Sequence, residues 1–212
     1  MKFTNKDGSK IVDDVIVAIQ KNRDYLSEVD GAIGDGDHGI NMNKGFTIAQ
    51  DELKDKDYNM SEGLKTISSV LVDKIGGSMG PLYGALFRGF SVASKKCEDI
   101  DKNVFGEMLK KAYANLTMIS PAKVGDKTLI DVLSPAIEAY EKSIETDDFD
   151  VALEKMITAA KEGLESTKNM VAKLGRASRL GERSLGHQDA GSTSCYIILE
   201  SIANSIKELI KQ

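Results

Sequence analysis

Asp30, Asp35 and Asp37 stand within DGAIGDGDHG at residues 30–39, interleaved with Gly31, Gly34, Gly36 and Gly39. Carboxylates drawn this close repel: at about 4 Å, two like charges cost roughly 4 kcal/mol at an effective dielectric near 20. A hard divalent cation removes that penalty, and glycine lets the backbone bend tightly enough for the side chains to converge. All-oxygen ligands favour Mg2+ or Ca2+ over zinc. The EF-hand pattern fails, because the twelfth position from Asp35 is Phe46 rather than a bidentate glutamate. Mg2+ takes a few carboxylates supplemented by water and substrate phosphates, a demand that three aspartates meet. The plainer alternative is a solvated acidic turn. The same residues also spell G-x-G-x-x-G from Gly34 to Gly39, the dinucleotide fingerprint, but its aspartates would repel a pyrophosphate.

Three further glycine-rich loops carry chemistry. In GGSMGPLYG (76–84), Gly76 and Gly77 can expose backbone N–H groups, and Pro81 opens a helix whose positive end faces the loop. Together these make an anion site suited to phosphate, or simply a tight helix connection. SPAKVGDKTLIDV (120–132) places Asp126 and Thr128 before a helix start and reads, taken alone, as an N-cap. GRASRLGERSLGHQDAGSTS (175–194) carries Arg176, Arg179 and Arg183 beside His187 and Asp189. Arginine offers a bidentate fork to phosphate oxygens, Asp189 is placed to cap the last helix, and a long loop in a compact helical chain is often functional. His38 and His187 are the only histidines; each is read as a hydrogen-bonded structural residue rather than a phosphoryl carrier or general base. No Walker A loop, Ser-His-Asp set or H-E-x-x-H motif is present.

The elements that must position these loops read as helices. Across 148–171 the apolar residues Phe149, Leu153, Met156, Ile157, Ala160, Leu164 and Val171 recur three, four or seven apart, the stripe of a half-buried helix. Similar patterns cover 9–29, 41–53, 61–75, 81–95, 103–119, 128–144 and 191–210, giving eight helical segments. No stretch alternates with period two, so a parallel sheet, and with it a Rossmann turn, has nothing to be built from. Ser61 with Glu62 and Asp147 with Asp148 mark helix starts, Pro81 suits a first helical residue, and Pro135 is expected to kink or delay its helix. The fold class is all-α.

The chain of 212 residues, 41% hydrophobic, fits one domain spanning 1–212. Its net charge of −5 is dispersed, which argues against nucleic acid and anionic membrane as partners. Cys97 and Cys195 lie far apart and form neither a disulfide framework nor a zinc knuckle. No apolar leader or membrane span is apparent, so a cytoplasmic location is expected.

GDGDHGINMNKGF, GGSMGPLYG, GDKTLIDV and GRASRLGERSLGHQDAGSTS, in this order and spacing, closely resemble the nucleotide-binding L subunits of phosphotransferase-dependent dihydroxyacetone kinases. The resemblance covers essentially the whole chain. It implies a barrel of eight antiparallel amphipathic helices, with ADP or ATP and two Mg2+ ions at one rim. Carried over, Asp30, Asp35 and Asp37 coordinate magnesium, and His38, Gly39, Ile40 and Asn41 lie along the nucleotide. Gly77, Ser78 and Met79 contact phosphate and nucleotide, Ser120 and Leu129 border it, and a lid places Arg176, Asp189 and Ala190 against it. Family members often carry a small hydroxyl residue at the position of Met79, so here that contact falls to the backbone. The late motif often reads Asp-Pro-Gly, where this chain has Asp189-Ala190-Gly191.

The resemblance also implies how such a protein works. Bound ADP is rephosphorylated in place by a phosphohistidine carrier protein of the phosphotransferase system, the M protein. The γ-phosphoryl then passes to dihydroxyacetone on a K subunit. The L subunit positions the transferring group and neutralises its charge, without covalent catalysis. A homodimer is the expected assembly. The rivals are an ATP-exchanging kinase module for dihydroxyacetone or a related ketose, against which the chain length argues, and a regulatory subunit that binds a transcription regulator.

Overall fold

The computed structural model describes residues 1–211. Its elements are β1 (Lys2–Thr4), α1 (Ser9–Lys21), α2 (Arg23–Ile33), α3 (His38–Leu53), α4 (Met60–Lys74), α5 (Met79–Ser94), β2 (Asp99–Asp101), α6 (Lys102–Thr117), α7 (Ile130–Ile144), α8 (Phe149–Ser166) and α9 (Ala190–Leu209). Two 3-10 stretches, Thr167–Asn169 and Arg176–Ser184, separate α8 from α9. The all-α class holds. Among the described residues there are nine α-helices rather than eight, because the segment 9–29 divides at Asn22. Asn22 turns its side-chain amide back to the Ala18 carbonyl at 2.8 Å and closes α1, so the chain restarts as α2. The small antiparallel β1–β2 ladder, pairing Phe3 with Ile100, is too short to alternate visibly in sequence.

Consecutive helices pack on one another, and α9 also packs on α1. Their apolar stripes form one contiguous core that includes Val15, Phe46, Phe87, Tyr140, Met156 and Ile198. Helix starts depart in detail from expectation. Asn59, not Ser61, caps α4 in a reciprocal capping box with Glu62. Pro81 is the third rather than the first residue of α5, where its missing N–H still costs no intrahelical bond. Asp148 precedes α8 without a side-chain cap, while Asp147 is engaged with Ser143 and Lys155. The helix begun at Phe149 ends at Ser166, short of Val171, where Thr167 donates to the Leu164 carbonyl and tightens the turn.

Pro135 neither delays nor ends α7, which runs through it from Ile130 to Ile144. The ring leaves the Asp131 carbonyl without its usual i+4 donor. Gly163 of α8 packs directly over that carbonyl, so closely that an added Cβ would overlap it. The vacancy in the helix is covered by a neighbouring backbone, which brings α8 hard against the first turn of α7. No described helix is long and apolar enough to cross a membrane. Cys97 and Cys195 are both free thiols, the latter fully buried with its pKa pushed up to about 12 by desolvation.

Candidate functional site

Asp30 lies in the last turn of α2 and Asp37 is the residue before α3, with Asp35 exposed between them. One oxygen from each carboxylate lies within 4.8 Å of the others. Gly39 makes this approach possible: it is buried, and a Cβ there would overlap the Arg23 carbonyl and crowd Ser27, so α3 starts directly on α2. The His38 N–H donates to Asp30 Oδ2 at 3.3 Å, tying the two helix ends together. Negative charge at the C-terminal end of α2 also opposes that helix's dipole, and its last turn holds no basic residue. A cation is therefore wanted, and one is supplied from the far end of the sequence. Arg176 Nη1 meets Asp35 and lies 3.3 Å from Asp37 Oδ2. A part-exposed, all-oxygen trio that already draws a positive group fits a hard divalent ion.

The His38 ring points inward. Its Nε2 is 2.8 Å from Ser194 Oγ on α9, and Ser194 in turn meets the Tyr83 hydroxyl of α5, which donates to the Gly191 carbonyl at 2.8 Å. Burial pushes the imidazole pKa down to about 4, against a smaller opposing effect of Asp30. The ring is thus neutral at pH 7 and joins three walls of the site, in keeping with a structural histidine. His187 is exposed, and only its backbone carbonyl enters the network described below.

Helix ends supply the complementary charge. Neither α3 nor α5 has a side-chain cap, whereas α4 and α6, which start at the opposite ends of their neighbours, are capped by Asn59 and Asp101. The first N–H of α3 is taken by the Asp30 carboxylate, whereas the positive end of α5 has no side chain on it. Gly77 and Ser78 before α5 are exposed, Met79 packs part-buried on the core, and Ile40 and Asn41 lie in the first turn of α3.

The two remaining loops are joined to each other. Asp126 turns back on the Lys123 N–H, and Thr128 Oγ1 accepts from Ile130 N at 3.2 Å, but neither caps α7 in the expected way. Asp131 orders this segment instead: it is 1% exposed, and its carboxylate accepts from Gly125 N at 2.6 Å and Thr128 N at 2.7 Å. Across the gap, Ser192 Oγ donates to the Thr128 carbonyl at 2.6 Å, and Leu129 is buried beside Gly191. Asp189 caps α9 as expected, accepting from Ser192 N at 2.7 Å, and Ala190 is buried. Desolvation raises the Asp189 pKa to about 6, with the bonds from Ser192 opposing. Ser120 closes α6, its N–H bonding to Leu116 O and its Oγ accepting from Ala122 N. No hydrogen bond among the described residues ties it to the aspartates. Arg179 and Arg183 are exposed and, among the described residues, form no ion pair.

Sequence reasoning passed over Tyr83, Ser194, Asp131 and Lys127. Asp131 did leave a signal, an acid flanked by Ile130, Val132 and Leu133, all of which are buried.

The sequence matches the DAK2 domain family over residues 32–204. The chain belongs to the DAK2 family. Of the residues that the resemblance assigns to the site, the matched span holds all but Asp30, which precedes it by two positions. Over 188 residues the chain is 37% identical to the ADP-binding subunit DhaL of the PTS-dependent dihydroxyacetone kinase of Lactococcus lactis, spanning 87% of this chain and 88% of that one. Over 205 residues it is 35% identical to the ADP-binding subunit DhaL of PEP-dependent dihydroxyacetone kinase 2 of Listeria innocua, spanning 94% of each. The fold is also similar to the dihydroxyacetone kinase from C. freundii in complex with AMP-PNP and Mg2+. That likeness has a TM-score of 0.68 at 22% identity and covers 92% of this chain and 33% of the kinase. At that identity it speaks for the DAK2 fold alone.

Proposed function

We propose that this DAK2 chain is the nucleotide-holding subunit of a dihydroxyacetone kinase, a phosphotransferase that keeps ADP or ATP bound between turnovers. The observation that carries this reading is the meeting of Arg176, from the late loop, with Asp35 and Asp37 beside the start of α3. Cation ligands, an arginine fork and a positive helix end converge, and no nucleophile stands among them: such a site positions phosphates rather than attacking them.

In this reading residues 1–212 form one domain, its helices closing into a barrel whose alternate loops line one rim. Asp30, Asp35 and Asp37 hold two magnesium ions, which when bound neutralise and orient phosphate oxygens. His38, Gly39, Ile40 and Asn41 at the start of α3 lie along the nucleotide, and the backbone from Gly77 to Met79 at the start of α5 contacts phosphate and nucleotide. Ser120 and Leu129 border the base side, and Asp189 and Ala190 close the wall against Arg176. A phosphohistidine carrier of the phosphotransferase system recharges the bound ADP, and dihydroxyacetone receives the γ-phosphoryl on a K subunit. The same rim serves both partners in the cytoplasm, and a homodimer or a transcription regulator would use surface outside it.

The test is to denature freshly purified protein and chromatograph the released small molecules. Near-stoichiometric ADP is expected. An empty protein that turns over added ATP in free exchange would instead place the chain with the ATP-exchanging kinases.

A further inference from the structure

Lys127 combines two unfavourable circumstances. It is 1% exposed, and its backbone takes φ of 61°, the left-handed region that a residue with a side chain rarely adopts. No carboxylate lies within salt-bridge distance of its ammonium among the described residues. Four backbone carbonyls surround it instead: Thr167 at 2.8 Å, Met170 at 3.2 Å, Ser184 at 2.6 Å and His187 at 2.6 Å. An ammonium has three N–H groups, so one is shared, and the arrangement is that of a cation in a cage of neutral oxygens. Desolvation lowers its pKa, with the more distant charge of Asp189 opposing.

The origin of those carbonyls matters most. Thr167 and Met170 lie in the outgoing stem of the segment between α8 and α9; Ser184 and His187 lie in its returning stem. Arg176 lies in the span between them. The stems are also cross-linked directly, by Gly186 N to the Lys168 carbonyl at 2.8 Å and Ala172 N to Ser184 Oγ at 2.9 Å. The cage is in turn held from below: the Asp131 carboxylate binds the N–H groups of Gly125 and Thr128, on either side of Lys127. A continuous path thus runs from α7 through Asp131, the Lys127 backbone, its ammonium and the loop stems to Arg176 and the aspartates.

We infer that Lys127 is a positioning residue for nucleotide retention: its ammonium is a tethered cation that staples both stems of the 167–187 segment and so holds Arg176 over Asp35 and Asp37. This rests on the nucleotide-holding reading above. A compact ammonium on a long stem suits the cage, since a planar guanidinium aims its donors in one plane rather than at four surrounding oxygens. Lys127 itself touches neither the aspartates nor any nucleotide contact, and it acts only through the loop.

The experiment uses the full chain in two measurements. Without nucleotide, trypsin is expected to cut after Arg176, Arg179 and Arg183 about tenfold faster in Lys127→Met than in wild type; equal rates overturn the staple. With Mg2+ and a fluorescent ADP analogue, dissociation rates are taken for wild type, Lys127→Met, Arg176→Ala and the double variant. Lys127→Met is expected to speed release about tenfold alone, but less than about twofold when Arg176 is already Ala. An equal factor in both backgrounds overturns the proposal, because a general loss of stability would act regardless of Arg176. Should Lys127→Met fail to fold, Ser184→Ala loosens the returning stem without removing the ammonium, and the same non-additivity is expected on a smaller scale. A wild-type protein that binds no ADP overturns the nucleotide reading and this inference's functional half, while the trypsin rates still decide the staple.

Discussion

At residues 30–37 three carboxylates gather, part-exposed, at the end of α2, and the positive charge they attract comes from outside their own segment. At residue 127 four peptide carbonyls gather around a positive charge that is covalently part of the chain and sealed from water. The first assembly is charged and open, so on the proposed magnesium reading its cation can be exchanged. The second uses dipoles only and is closed, so its cation stays. Full charges suit an ion of charge two that must come and go; neutral oxygens suit a single charge that never leaves. The two assemblies share one segment, because the loop stapled by Lys127 delivers Arg176 to the aspartates.

The largest expected effect breaks the open assembly. Asp35→Asn removes one of three charged ligands and should weaken Mg2+-dependent ADP retention at least about a hundredfold, with the melting temperature nearly unchanged because the residue is exposed. Equilibrium dialysis with labelled ADP checks this, and unchanged retention would remove the aspartates from the metal assignment.

Next in size is an effect beside the closed assembly. Asp189 has a folded pKa of about 6 against an ordinary 3.8, so the folded chain keeps its proton where the unfolded chain releases it. The contribution of this group is favourable below about pH 4, and it is lost as the pH rises to 6. Asn also caps helices well, so Asp189→Asn keeps the cap and removes the titration. Relative to wild type, the variant should gain about 2 kcal/mol between pH 4 and pH 6. Urea melts across that range measure it, and a constant difference would show that the carboxylate is not held in its acid form.

The smallest effect concerns the link between the assemblies. Arg176→Ala removes the resident positive group from the aspartates, so divalent ions should bind the nucleotide-free protein a few-fold more tightly, as read by calorimetry. Weaker ion binding would mean that Arg176 supports the cluster rather than occupying it.

The open assembly was legible in the sequence because its signal is local: three acids and four glycines within ten residues have few uses. The helical class was legible for the same reason, with apolar residues recurring every three or four positions. What escaped is non-local or depends on one side chain. The break at Asn22 turns on an amide bonding back four residues, within a stripe that otherwise continues. Pro135 reads as a breaker until Gly163 of the next helix is seen covering the carbonyl it frees. Lys127 in VGDKTLID looks like any solvated lysine of a polar turn, because the oxygens around it come from residues forty to sixty positions away. His38 sits in the acidic motif, yet its ring belongs to Ser194 at the other end of the chain.

The pairing of Arg176 with Asp35 and Asp37 also bears on the order of events in the life of the molecule. With one guanidinium among three carboxylates, the cluster is partly neutralised before any ion arrives. Folding therefore need not wait for loading. On the proposed nucleotide-holding reading, protein made under metal starvation, or stripped by a chelator, is expected to keep its native form and to take up ion and nucleotide afterwards.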